Sequence, residues 1–333
     1  MIMRFVVADE FLKLPAADQR EVINAAAPQL GILPAVAEKN VWVCFALNAL
    51  FSIPDRRPMV FKGGTSLSKV FNLIERFSED IDISVNFLKD YGESISKTKA
   101  TNIREQIEAN LQAYKKDLLF PALQEQAKQL SLTVEPGDTE WEIHINYKSV
   151  LASGVDYIKT RVKIELSGRK ETEPSQEYKV RPYLAEKTID LIFPEATIEA
   201  LLAERTFWEK VTLIHAGLHS GDIQNTPERM SRHWSDVSVL MKTETGERAI
   251  QDQDLCLRVV NHKDVFWRDA KAKYDDCRNR KFRLVPAGDA LAVLKADYES
   301  MLEARMFFSE KPATFDEIMA DIAELEARLN TLS

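Results

Sequence analysis

The chain has 333 residues, 45% of them hydrophobic and 29% charged, with a formal net charge of −8. That size and balance give a globular chain large enough for two domains, and the acidic total argues against a surface coated with phosphate-binding patches. No apolar run approaches the length of a membrane span, and MIMRFVVADEF carries acids where a signal peptide needs its apolar core, so the expected compartment is cytoplasmic. The three cysteines, Cys44, Cys256 and Cys277, are odd in number and far apart, which excludes a disulfide framework; Cys44, in VWVCFALNALF, reads as a core residue.

In chain order, the pattern predicts helices over about 8–51, a compact core over 58–86, and a helical insertion over 93–130 with Ile103, Ile107 and Leu111 at helical spacing. Strands are expected at 131–136, 141–147, 159–167 and 176–184, with breaks at Pro136-Gly137-Asp138 and Ser153-Gly154. Past Pro194 the pattern is helical to the end, where Phe315, Ile318, Ile322, Leu325 and Leu329 share a stripe. A boundary near Pro194 therefore divides the chain into 1–194 and 195–333, with the site between them. No internal repeat or low-complexity tract interrupts this order.

The segment FKGGTSLSKVFNLIERFSEDIDISV, Phe61 to Val85, carries the chemistry. Gly63 and Gly64 permit a tight turn and close approach to a ligand, and Thr65 or Ser66 is placed to cap the next helix. Leu67, Val70, Phe71, Ile74 and Phe77 recur at spacings of three and four, predicting a buried helical stripe with Lys69 off it. Ile81, Ile83 and Val85 then alternate with Asp80, Asp82 and Ser84, so a strand buries the apolar set and turns both aspartates to the other face. Two carboxylates roughly 6.5 to 7 Å apart on one strand face suit Mg²⁺ or Mn²⁺ and the phosphates of an NTP.

A third carboxylate is sought on a neighbouring strand. In RVKIELS, Arg161 to Ser167, Glu165 is the acid on the polar face, and its alternative role is an exposed pairing with Arg161 or Lys163. Further on, Lys210 falls in a helical pattern where Leu201, Trp208, Val211 and Ile214 look buried; it reads either as a phosphate-directed ammonium or as a surface lysine beside Glu209. Asp236 follows Arg232 and His233 on one helix whose core stripe is Met230, Trp234, Val237 and Met241, so an ordinary Arg-Asp helix pair is its plainest reading. His144, His215, His219 and His262 lack zinc-type spacing with cysteines.

GGTSLSK followed by RFSEDIDIS resembles the AbiEii/AbiGii toxin family of type IV toxin-antitoxin systems, a branch of the polymerase-beta-like nucleotidyltransferases. The start, EFLKLPAADQREVINAAAPQLGILPAVAEKNVWVCFALNALF, resembles the family's N-terminal helices; ERTFWEK, Glu204 to Lys210, and SRHWSDV, Ser231 to Val237, resemble its third and fourth motifs. The resemblance implies an α+β (α/β) fold with a polymerase-beta-like core, a mixed sheet, N-terminal helices and a C-terminal helical domain. It implies a Mg-dependent transfer of NMP from an NTP to the 3′ end of tRNA, blocking translation, and a cognate antitoxin. On it, Gly63, Gly64, Thr65 and Ser66 hold the phosphates, Asp80 and Asp82 hold the metals, and Lys210 and Asp236 match the third and fourth motifs; with Lys69 added at the nucleotide and Glu165, from its strand pattern, at the metal, Lys210 offsets phosphate charge and Asp236 orients Lys210 or deprotonates the acceptor hydroxyl. Trp234 and Ser235 depart from the family's commoner aromatics. Transfer onto a protein side chain and a non-catalytic NTP-binding regulator are the competing functions.

From His262 to Arg283 eight Lys or Arg face four Asp, and Phe266, Trp267, Tyr274 and Phe282 interleave with them. That run is a candidate RNA groove, or else a solvated face, and the acidic remainder suits a basic antitoxin.

Overall fold

The computed structural model describes residues 9–88, 95–151, 158–226, 228–267, 269–309 and 311–331. A short strand β1 (Asp9–Glu10) precedes helices α1 (Ala16–Ala26) and α2 (Pro34–Phe51). Pro34 opens α2 at a position where its missing N–H costs nothing, and the helix is buried on nearly every side. Its polar residues are accordingly paired: Glu38 accepts from Ser149 and from the Val150 N–H, and Asn40 accepts from Lys69 and the Tyr183 N–H.

Then come β2 (Met59–Lys62), α3 (Gly63–Lys69), β3 (Ile81–Val85), the insertion helices α4 (Lys97–Tyr114) and α5 (Phe120–Lys128), and strands β4 (Thr133–Pro136), β5 (Glu142–Asn146), β6 (Arg161–Ser167), β7 (Ser175–Val180), β8 (Leu191–Ile192) and β9 (Ala196–Leu201). Helices close the chain: α6 (Ala203–Ser220), α7 (Asp222–Asn225), α8 (Ser231–Leu240), α9 (Glu244–Gln251), α10 (Gln253–Phe266), α11 (Tyr274–Arg278), α12 (Asp289–Glu303) and α13 (Phe315–Thr331).

Seven strands form one mixed sheet in the order β4-β5-β6-β3-β2-β9-β7, while β1 pairs with β8 apart from it. β3 runs antiparallel to β2 and parallel to β6, and β9 runs parallel to β2. The four expected strands are present with edges shifted by a few residues. The Pro136-Gly137-Asp138 break is found, whereas Ser153-Gly154 lies outside the described residues. Ala196–Leu201 lies past Pro194 yet belongs to the sheet, so helix takes over only at Ala203. The alternation of buried Ala196, Ile198 and Ala200 with Thr197 and Glu199 is the period-two signal of a strand.

The helix after the glycines is also shorter than its stripe predicts. It begins at Gly63 itself, its flanking Lys62 makes no side-chain cap, and it stops at Lys69. Asn72 then takes a positive φ of 52°, and Phe77 donates its N–H to the Met306 carbonyl. Leu67, Ile74 and Phe77 are buried all the same, in different cores, because a turn delivers them where one helix face would have sent them together. On α13 the stripe from Phe315 to Leu329 is buried as expected. Among the described residues, no single helix is long and apolar enough to cross a membrane, and all three cysteines are free and buried.

Candidate active site

Strand register assembles the acids. Lys62 on β2 lies opposite Asp82 on β3, and Asp82 lies beside Glu165 on β6. Neighbouring strands sit roughly 4.8 Å apart, so Asp80, Asp82 and Glu165 share one face. The Lys163 ammonium is 3.5 Å from Asp80 and 3.6 Å from Glu165, so these carboxylates already converge on positive charge. All of them line a cleft of about 550 Å³ between the sheet and the helical half.

The glycines sit against these acids. Gly63 has φ 80°, and a Cβ there would fall 2.1 Å from Asp82 Oδ2; one on Gly64 would fall 2.7 Å from Arg76 Nη2. Only glycine leaves the backbone and the acids this close. Thr65, Ser66 and Lys69 point elsewhere. Ser66 donates to the Gly63 carbonyl, Thr65 bonds Ser78 at 2.8 Å, and none of the three lines the cleft. Lys69 donates to Asn40 and the Arg181 carbonyl and lies over the Tyr183 ring, so its ammonium is spent on the fold. Ser78 lines the cleft in their place.

Lys210 and Asp236 meet across α6 and α8. Lys210 Nζ is 2.9 Å from Asp236 Oδ2 and 3.4 Å from His233 Nδ1, and Lys210 is buried, not a surface residue. The partner that the sequence reading missed is Arg76, whose Nε and Nη2 grip both Asp236 oxygens at 2.6 and 2.7 Å. Burial pushes the Asp236 pKa up, but Arg76 first and Lys210 next outweigh it and hold the carboxyl well below the usual range. Both Asp236 oxygens are thus engaged, Oδ1 by Arg76 and Oδ2 by Arg76 and Lys210. Among the described residues the helix neighbour Arg232 makes no ion pair with Asp236, and the Arg232 Nε is buried without a hydrogen-bond partner. Burial, then Lys210 and Arg232, keep His233 neutral, so its Nδ1 accepts from the ammonium. Arg76 lay hidden because 160 residues separate it from Asp236.

A second cationic set went unread. Lys62 Nζ lies 2.7 Å from Glu209 Oε2, Lys263 donates to the Glu209 carbonyl, and Lys170 lines the same stretch of cleft. The stretch His262 to Arg283 divides between the cleft, which His262, Lys263, Trp267, Asp269 and Tyr274 line, and contacts within the fold. Phe266, Tyr274 and Phe282 are buried, and Arg278 is tied to Asp264, Asp275 and Asn261. Trp267 and Lys263 reach the cleft; Arg268 lies outside the described residues.

Asp138, Glu142 and His144 also cluster beside the sheet. Arg161 donates to His144 Nδ1 and to Asp138, which leaves the His144 proton on Nε2, aimed at Glu142. One ligand atom from each of the three lies within 4.8 Å of the others, and Arg161 is hydrogen-bonded into the same group.

No curated protein sequence matches the chain. Among solved structures, MenT4, a nucleotidyltransferase toxin from Mycobacterium tuberculosis H37Rv, is similar over 96% of this chain and 91% of that one, at 16% identity and a TM-score of 0.49. The family described as nucleotidyl transferase AbiEii toxin, type IV TA system, matches residues 46–321, a span that holds the glycine turn, the three clustered carboxylates and the Lys210–Asp236 pair. The chain is a nucleotidyltransferase and belongs to the AbiEii toxin family of type IV toxin-antitoxin systems.

Proposed function

We propose that this nucleotidyltransferase moves a nucleoside monophosphate from an NTP to the 3′-hydroxyl of an RNA, the acceptor end of tRNA, and that a separately encoded antitoxin neutralises it. The observation that carries the reading is the register Lys62–Asp82–Glu165, which with Asp80 just before β3 gathers three carboxylates against a glycine turn inside a cation-lined cleft. The residues fit a hard divalent ion: three carboxylates share a face, and two of them, Asp80 and Glu165, already lie against the Lys163 charge. Asp80, Asp82 and Glu165 would hold Mg²⁺ or Mn²⁺, which when bound supplies charge compensation to the reacting phosphate.

The chain's own groups do the rest. Gly63 and Gly64 let the triphosphate lie against the backbone beside Ser78. Lys210, aimed by Asp236 and by neutral His233, keeps its ammonium at the phosphates, where it stabilises charge building on the leaving pyrophosphate. The buried Arg232 Nε, without a partner among the described residues, offers a further donor lining the cleft within the field of Asp80 and Asp82.

Incubation with each α-³²P-labelled NTP, Mg²⁺ and total tRNA, followed by denaturing gels, tests this. Label on RNA that is absent for Asp80→Ala/Asp82→Ala is expected. Label on protein would move the acceptor to a side chain, and wild-type protein that labels nothing would overturn the transfer.

A further inference from the structure

The cleft holds more buried positive charge than the nucleotide cradle uses. Lys62, Lys170 and Lys263 surround one carboxylate, Glu209, toward which Arg205 also turns. Lys62 has the Glu209 carboxylate and Lys263 its carbonyl, whereas Lys170 has no hydrogen-bond or ion-pair partner among the described residues. The charges that bear most on Lys170 are the repelling Lys62 and the attracting Asp82, Glu209 and Glu165. A divalent ion on Asp82 and Glu165 would take up their share of that attraction and leave the ammonium only Glu209, which Lys62 already pairs. A half-buried cation in that position calls for an anion.

This set differs from the one at the glycines. Arg76, Lys210, Arg232 and Asp236 act on one another beside Gly64, while Lys62, Lys170, Lys263 and Glu209 act on one another, and Asp82 is felt by both. Transfer in line needs the leaving pyrophosphate on one side of the reacting phosphorus and the acceptor on the other. A protein side chain would bring a hydroxyl and no phosphate. An RNA strand brings a phosphodiester next to its terminal ribose, and bases that stack on rings such as Trp267, which lines this end of the cleft next to His262.

We propose that Lys170, with Lys62 and Lys263, binds the last phosphodiester of the acceptor RNA strand, separately from the nucleotide's triphosphate. The proposal rests on the RNA-transfer reading above, and its test separates the two.

A short single-stranded RNA is made with a native or an uncharged methylphosphonate terminal linkage, and its affinity is measured for the Asp80→Ala/Asp82→Ala protein with and without Lys170→Gln. Where Lys170 is intact, losing the charge should weaken binding about tenfold, the scale of one charge-assisted contact. With Lys170→Gln the native RNA should already bind about tenfold more weakly, and the methylphosphonate should add little. Lys263→Met should give a similar pattern, while NTP affinity stays the same in both. Equal methylphosphonate penalties with and without Lys170, or a loss confined to NTP affinity, would overturn the site. Whether wild-type protein labels the RNA decides the transfer reading alone, since this binding assay needs no turnover.

Discussion

The two walls of the cleft are built by different physics. On the sheet side, Asp80, Asp82 and Glu165 are placed by backbone: β2, β3 and β6 are hydrogen-bonded in register, and alternation aims the side chains. On the helical side, Lys210 is placed by side chains: a buried ammonium held by a buried carboxylate that is itself clamped by Arg76 from the loop after α3. The acids are thus replaceable without loss of the frame, and the cations are not, because each one's burial depends on the charge of the next.

The sharpest break of this contrast is on activity. Asp80→Ala/Asp82→Ala should lower transfer at least about a thousandfold while the urea midpoint stays near wild type, because both groups are partly exposed and removing them relieves mutual repulsion. A fall in both together would mean that the acids also hold the sheet.

Arg76→Met should show the reverse order of sensitivity. It strips Asp236 of the partner that grips both oxygens, and a buried pair broken on one side costs about 3–5 kcal/mol, readable as a lower denaturation midpoint. A midpoint unchanged by Arg76→Met would show that Lys210 alone satisfies Asp236.

Gly63→Ala lies between the walls. Its positive φ and the 2.1 Å approach to Asp82 require the acid to move, so transfer should fall about a hundredfold with stability reduced by roughly 1–3 kcal/mol. Kinetics that match wild type would mean that Asp82 swings clear at no cost.

A smaller effect sharpens the cationic side. Burial brings the Lys263 pKa down to about 7, with Glu209 opposing the shift and Lys62 and Lys170 adding to it. The ammonium is charged below that value and neutral above it, so KM for the RNA acceptor should rise several-fold between pH 7 and pH 9, and Lys263→Met should flatten that rise. For stability the sign is opposite: between about 7 and the unfolded value of 10.5 the unfolded chain binds the extra proton, so this lysine favours the fold increasingly as pH rises through that window. A profile equally steep in the variant would place the titration elsewhere.

Smallest of all should be neutralising Lys271, Lys273, Arg278 and Arg280 together. Arg278 is occupied by Asp264 and Asp275, and the run's aromatics other than Trp267 are buried, so KM for RNA should change less than about twofold. A large rise would restore that face as an RNA groove.

Much of this molecule was legible before folding. The strand at Ile81–Val85 announces itself by strict alternation, and Glu165 by the same rule on Arg161–Ser167, so the acids and their faces follow from local pattern. Lys210 was found through its motif, and its burial among Phe207, Trp208 and Val211 follows the stripe around it. Thr65, Ser66 and Lys69 misled because a stripe continuing to Phe77 suggested a longer helix, whereas the chain turns at Asn72. The interleaved basic and aromatic residues after His262 misled for a related reason: interleaving in sequence does not say which side chains reach the surface.

The amino-acid sequence by itself determined what is periodic and short-ranged: the glycine turn, the paired aspartates, the strand carrying Glu165, and the terminal helix stripe. Those features need only neighbours a few residues apart and a face to bury. Only the tertiary structure decided which cations meet which acids. Arg76 finds Asp236 over 160 residues and Lys62 finds Glu209 over 147, and among the described residues Lys170 is left without a partner. Charge pairing in a buried cleft depends on distance and desolvation in three dimensions, and neither has a period along the chain.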